Sequence, residues 1–288
     1  MKSSEIQIRD PFILPVPEEG KYYLFGTTDK NAWSGAGHSF ECYRGKDLEN
    51  WEGPITAFKP PKDFWATTQF WAPEVHKYNG KYYMFASFKA DKVCRGTQIL
   101  ASEKPEGPYL PLTSGPVTPR DWECLDGTLF VDDEKNPWIV FCHEWLQIND
   151  GTICAMRLSE DLKNGAGDPI LLFHGSAAPW VKAHQAGEYV TDGPFIQRAS
   201  DRSLLMLWSS TGKDGYAMGI AKSANGKITG PWVHVDDPIY GKDGGHGMLF
   251  RSFEGRLMMT LHCPNNTPNE RPVFMEIAEK AGSLSVLK

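Results

Sequence analysis

No stretch of this 288-residue chain approaches the ~20 consecutive apolar residues of a bilayer-spanning helix, so no membrane partner is expected. Positive charge is in short supply as well. Thirty Lys and Arg stand against 36 Asp and Glu, for a net charge of -6, and no basic stripe tracks the chain. Nucleic acid, which is held by neutralising phosphates, is therefore not an expected partner. The six cysteines (Cys42, Cys94, Cys124, Cys142, Cys154, Cys263) lack C-x-x-C or His/Cys ligand spacing, and read as reduced, packed small hydrophobes. The opening MKSSEIQIRD has no basic n-region followed by an apolar h-region. It predicts a cytoplasmic protein, or a periplasmic or secreted one whose signal has been removed. Long helical periodicity is also missing, so any helices should be single turns.

What is abundant is turn chemistry and aromatics: 28 Gly, 21 Pro, 10 Trp, 10 Tyr and 15 Phe. Five runs repeat one pattern, a turn followed by large apolar residues: GKYYLFGTT from Gly20, GKYYMFASF from Gly80, NPWIVFCHEW from Asn136, RSLLMLWSS from Arg202 and GRLMMTLHCP from Gly255. Each reads as a buried strand after a hairpin turn. Their openings fall 53 to 66 residues apart, close to one four-stranded propeller blade with variable loops, and five such units fill the chain. Further segments recur between them (GKDLENWEGP at 45–54, SEKPEGPYLP at 102–111, SEDLKNGAG at 159–167, SANGKITGPW at 223–232) and read as connections into outer strands. The expected fold is all-β, a five-bladed β-propeller, with residues 1–288 forming a single domain, since no linker or composition shift divides them.

The stretch EYVTDGPFIQ (188–197) sets strand breakers between two β-like runs. Taken alone, Asp-Gly-Pro is a turn. In the frame of the repeat, a polar residue precedes each of the five openings: Asp10, Glu74, Asp126, Asp192 and His246. Equivalent positions on the innermost strands of a propeller surround one axis, so these five are expected to converge there. Capping a local turn is the alternative at each position.

Two carboxyl groups across a cavity are the minimal equipment for glycoside hydrolysis, one ionised to activate water and one protonated to release the leaving oxygen. Crowded like charges in a partly desolvated funnel push some of the pKa values up and so permit that division. An inverting reaction needs roughly 6.5–9.5 Å between the two. Apolar platforms for a sugar ring are predicted from Trp33, Phe70, Trp71 and Trp145, against the alternative that they are core. The same carboxylates suit a hard cation such as Ca²⁺ on the axis, with His246 holding a water of its shell; no cofactor is needed for the chemistry.

The ordered motifs RDPFI, FWAPEVHKYNGKYYMF, LDGTLFVDD, TDGPF and GGHGMLF resemble glycoside hydrolase family 43, the arabinofuranosidase, xylosidase and arabinanase family, over essentially the whole chain. The resemblance implies an inverting hydrolase with Asp10 as general base, Asp126 orienting and tuning the acid, and His246 matching an axial histidine associated with hydrated calcium. One departure falls on the general acid, where the family has Glu before Gly-Pro and this chain has Asp192. Losing a methylene withdraws the proton donor by about 1.5 Å, and misplacement on that scale costs around a hundredfold in rate. Three outcomes stand: Asp192 remains the acid with substrate or backbone moved closer; Glu144 or Glu188 supplies the proton; or only a carbohydrate-binding propeller is left. Arg271 in HCPNNTPNERPVF is expected either to reach the funnel or to close the ring by pairing with Glu270 or the first blade. The expected substrate is a pentose-containing oligosaccharide or polysaccharide, with galactosides as the alternative sugar class.

Overall fold

Each of the five aromatic runs forms the second strand of a four-stranded antiparallel sheet, in a computed structural model that describes residues 1–287. Blade 1 is β1 (Arg9–Val16), β2 (Lys21–Thr27), β3 (Phe40–Gly45) and β4 (Glu52–Phe58). Blade 2 is β5 (Thr68–Tyr78), β6 (Lys81–Ala90), β7 (Val93–Ser102) and β8 (Leu110–Pro111). Blade 3 is β9 (Cys124–Val131), β10 (Pro137–His143), β11 (Thr152–Arg157) and β12 (Ile170–His174). Blade 4 is β13 (Asp192–Arg198), β14 (Leu204–Gly212), β15 (Gly215–Ser223) and β16 (Val233–His234). Blade 5 is β17 (Gly245–Arg251), β18 (Leu257–Cys263), β19 (Arg271–Lys280) and β20 (Ser283–Val286). The strands run in simple meander order within every sheet, and the innermost ones, β1, β5, β9, β13 and β17, touch their neighbours in a closed ring. That ring is the five-bladed propeller.

The local reasons are legible. A left-handed residue stands just before each second strand (Gly20, Gly80, Lys135, Arg202, Gly255, φ between +60° and +82°) and turns the chain back on itself. β2, β6, β10, β14 and β18 are then buried on both faces, because each sheet is covered by a blade on either side. Apolar residues at successive positions, rather than alternate ones, are what that environment requires. The four recurring connections lie before outer strands β4, β8, β12 and β16, as their turn chemistry predicts. Among the described residues, helix is confined to the 3₁₀ turns Ser3–Glu5 and Gly175–Ala177 and one α-helical turn, α1 (Trp145–Ile148), which follows β10. All six cysteines are free thiols; Cys42, Cys124, Cys142 and Cys154 are buried, while Cys94 and Cys263 are partly exposed.

Candidate active site

The innermost strands are interrupted at one common place. In every blade the pairing between first and second strand shifts there, between Arg9 and Phe12, Trp71 and Glu74, Leu125 and Thr128, Asp192 and Phe195, and Gly245 and Met248. Each bulge holds a residue in the left-handed region: Asp10 (φ 53°), Ala72 (φ 46°), Asp126 (φ 55°), Gly193 (φ 52°) and His246 (φ 46°). A bulge re-aims the side chain it carries. Here Asp10, Asp126 and His246 meet on the axis, His246 Nδ1 lying 3.1 Å from Asp10 Oδ1 and 3.6 Å from Asp126 Oδ2.

The expectation of five polar residues in register is corrected at two blades. In blade 2 the axial residue is Ala72. Glu74 sits two positions on, in register with Phe12, Phe195 and Met248, and there it pairs with His76 Nε2 at 3.1 Å instead of facing the axis. In blade 4 the axial residue is Gly193, and Asp192 precedes it, in register with Arg9, Trp71 and Leu125. Asp192 nevertheless shares the cavity, where Tyr216 donates its hydroxyl hydrogen to Oδ2 at 2.9 Å. Gly193 shares the left-handed backbone that Asp, Ala and His adopt in the other blades, and what singles it out is the His246 ring, whose Cδ2 would stand 2.6 Å from a Cβ at that position.

The surroundings drive these groups apart. Burial alone would raise the Asp10 carboxyl, but the His246 imidazolium and the Arg9 guanidinium more than offset it and hold it well below the usual carboxylate range. Thr27 adds a hydrogen bond to Asp10 Oδ2 at 2.8 Å. Asp126 goes the other way, pushed up to about 7 by burial and by the charges of Asp192 and Asp10, against the pull of His246. Asp192 is likewise raised, by burial first and then Asp10. Glu144 is raised by burial, with Arg95 opposing. His246 itself, although burial favours its neutral form, is pushed up to about 10 by Asp10, Asp126 and Asp192. One carboxylate is thus held ionised beside three carboxyls whose proton affinity is raised, the division that acid/base chemistry needs.

These groups line a cavity of about 420 Å³. Trp33, Trp71 and Trp145 form its apolar walls, with Leu146 beside Trp145 on α1. Trp33 meets Trp71 edge-on at 5.3 Å, and each carries a guanidinium over its face, Arg9 over Trp33 at 4.8 Å and Arg95 over Trp71 at 4.4 Å. Glu144 lies in the same wall, 5% exposed and ion-paired with Arg95, whose other nitrogen donates to Gln69. One expected platform, Phe70, and Arg271, one of whose two expected places was the funnel, do not line this cavity. Phe70 is packed among Phe40, Phe58 and Phe88 in the core, and Arg271 points outward, donating to the carbonyls of Ser4, Pro268 and Glu270. A larger depression of about 710 Å³, between the turns at 113–120 and 163–169, contains none of these carboxylates.

The residues do not build a calcium cage. Calcium takes six to eight oxygen ligands, whereas the axis offers one imidazole, whose Nδ1 is already engaged by the two carboxylates, so the side chains by themselves supply no such shell. No group of three or more His, Cys, Asp or Glu side chains is arranged around a common ion position among the described residues.

Sequence reasoning missed Arg9, Arg95, Tyr216 and His262. Arg9 was adjacent to a motif residue and could have been flagged. Arg95 lies on β7 of blade 2, Tyr216 on β15 of blade 4 and His262 on β18 of blade 5, and no local pattern announces their convergence. Alignment of the bulges was legible: every axial residue is followed by Pro or Gly (Asp10-Pro11, Ala72-Pro73, Asp126-Gly127, Gly193-Pro194, His246-Gly247), a signal that identifies Ala72 where polarity misled.

A family model described as Glycosyl hydrolases family 43 matches residues 4–279. The structure superposes on the endo-arabinase of Bacteroides thetaiotaomicron with a TM-score of 0.91, at 44% identity, over 98% of this chain and 98% of that one. Over 154 residues the chain is 27% identical to extracellular endo-alpha-(1->5)-L-arabinanase 1 of Bacillus subtilis, a match covering 48% of this chain and 44% of that protein. Over 81 residues it is 30% identical to xylosidase/arabinosidase 43A of Humicola insolens, covering 28% of this chain and 24% of that protein. The chain therefore aligns with less than half the length of either curated relative.

Proposed function

This chain belongs to glycosyl hydrolase family 43, and from that premise we propose that it hydrolyses pentose polymers, α-1,5-linked arabinan foremost, by a single displacement that inverts the anomeric carbon. The observation that carries the reading is the opposed pair of proton affinities in one Trp-walled cavity, with Asp10 held ionised and Asp192 and Asp126 held toward their protonated forms. The sugar assignment is supported by the 44% identity to an endo-arabinase. Asp10 takes a proton from water as the water oxygen attacks the anomeric carbon, and Asp192 gives its proton to the departing glycosidic oxygen. Tyr216 holds Asp192 Oδ2, which leaves Oδ1 to carry that proton. Asp126 accepts the Gly193 amide through Oδ2 at 3.0 Å and so fixes the segment that bears Asp192. Burial raises Glu144 and Arg95 opposes that rise, and the ion pair anchors the carboxyl in the wall, a position that suits contact with sugar hydroxyls.

The test is digestion of linear arabinan, xylan and galactan, and of an aryl arabinofuranoside, by the parent protein and three variants. Arabino-oligosaccharides of inverted anomeric configuration, read by proton NMR, are expected from the parent. Asp10→Asn should lose hydrolysis of every substrate by about 10²–10⁴-fold. Asp192→Asn should lose the polymer by a similar factor and keep most of the aryl glycoside, whose leaving group needs little protonation. The same asymmetry in Glu144→Gln instead would move the donor role there. Release from xylan or galactan alone would sink the sugar assignment, and polymer binding without turnover would leave a binding propeller.

A further inference from the structure

The five left-handed axial residues share a capping device. A residue inside a bulge loses its ladder partner, so each axial amide needs another acceptor. The Ala72 amide donates to Thr27 Oγ1 at 2.8 Å, the Asp126 amide to Ser87 Oγ at 2.9 Å, the His246 amide to Ser209 Oγ at 2.8 Å, and the Asp10 amide to His262 Nδ1 at 3.1 Å. All four acceptors occupy one register on the second strands, opposite Arg9, Trp71, Asp192 and Gly245, and each caps the axial residue of the following blade. The fifth such position is Cys142, opposite Leu125. A thiol is a weak acceptor, and in that blade the Asp126 carboxylate takes over by accepting the Gly193 amide. Four blades thus cap with a small side chain or a carboxylate, and the blade that serves Asp10 uses an imidazole.

We propose that His262 is the positioning residue of the base: as a neutral imidazole its Nδ1 lone pair receives the Asp10 amide and fixes the left-handed backbone from which the carboxylate reaches the axis. The inference rests on the reading of Asp10 as base. An amide nitrogen only donates, so Nδ1 must accept and the ring proton must sit on Nε2, which faces Asn265 Oδ1 at 3.2 Å. The ring is fully buried and stacked on Tyr216, with centroids 5.6 Å apart and planes 19° apart, so the group that holds Asp192 and the group that holds Asp10 brace each other. Burial and the Arg9 charge bring its pKa down to about 4, in keeping with a ring that stays neutral while its neighbour His246 is charged.

The test uses two polar replacements of similar bulk. Asn places an amide oxygen near the Nδ1 position, and Gln reaches the Nε2 position instead. With the polymer that the parent hydrolyses, His262→Asn is expected to keep kcat within about fivefold, and His262→Gln to lose about 100-fold in kcat, a misplaced base being worth that much, with KM within about twofold in both. Equal kcat in the two variants, or a loss confined to KM, would overturn the assignment. Should either variant fail to fold, nitrogen-15 NMR of the unmodified protein decides: an Nε2–H neutral tautomer supports the assignment, and an Nδ1–H tautomer or an imidazolium at pH 7 refutes it. Asp10→Asn is run alongside. Full activity in that variant would refute the base reading itself, whereas an inactive Asp10→Asn with indistinguishable His262 variants would refute only the role of His262.

Discussion

Asp10 and Asp126 carry the same side chain at equivalent bulges of two blades, yet their protons are driven in opposite directions. The difference lies in who stands next to each: Asp10 has the His246 imidazolium at 3.1 Å and Arg9 beside it, while Asp126 has the same imidazolium at 3.6 Å and two carboxylates for company. His246 pulls all three of Asp10, Asp126 and Asp192 downward. Its replacement by a neutral amide, His246→Gln, should therefore let every one of them rise. Because kcat/KM falls on the acid side as the base gains its proton and on the alkaline side as the acid loses it, both limbs of the profile should move to higher pH. A profile recorded for each protein checks this, and an acid limb that stays or moves down would contradict the ion pair as the source of the Asp10 shift. At this scale the candidates Asp10, Asp126, Asp192 and His246 were legible from motif and repeat. The protonation pattern was not, because it depends on neighbours distant in sequence, such as His246 in blade 5 against Asp10 in blade 1.

At the scale of the strand, the active element is the bulge. It places a left-handed residue in the middle of an inner strand, where φ > 0 is costly for anything but Gly. Four of the five blades accept that cost with Asp, Ala, Asp and His, and the amide caps offset part of it. Gly193 is different, since a Cβ there would meet the His246 ring at 2.6 Å as well as adopt φ +52°. Gly255, with φ +82° and nothing within 4 Å of a Cβ, separates the two costs. Gly255→Ala should cost only the backbone strain, about 1–2 kcal/mol, whereas Gly193→Ala should add overpacking of about 1–3 kcal/mol and displace His246. Urea unfolding of the two variants checks the difference; equal losses would mean that the ring moves aside freely. The sequence pattern located all five second strands and their turns, because turn chemistry and doubly buried apolar runs are local. It misplaced the axial residue in blades 2 and 4, because a buried Glu74 paired with His76, and an Asp192 one position before the bulge glycine, look in sequence like any other polar residue before a strand.

At the scale of the whole ring, closure involves no exchanged strand: each blade is one continuous segment, and the first and last are joined by side chains and by the amides of Ile8, Asp10 and Phe253. Arg9 and Glu270 form an ion pair at 2.8 Å with both side chains buried, and the Ile8 amide donates to the Glu270 carbonyl at 3.3 Å. Thr267 links the same carboxylate to Trp33 at the cavity wall, so closure and substrate platform share one network. Removing one partner of a buried pair leaves an uncompensated charge. Glu270→Ala should therefore lower stability by about 3–5 kcal/mol and reduce activity through Arg9, which lines the cavity. Denaturant midpoints and arabinan turnover of the variant check it, and a loss under about 1 kcal/mol would show that the ring closes by packing alone. The repeat in the sequence by itself determined five blades, their order and the stretch of each that faces the axis, because hairpin turns and strand burial are written in neighbouring residues. Only the tertiary structure decided which residue of each stretch arrives at the axis, that Phe70 and Arg271 stay away from it, and which carboxyl keeps its proton. Those outcomes depend on bulge register and on charges brought together from opposite ends of the chain, which no local pattern encodes.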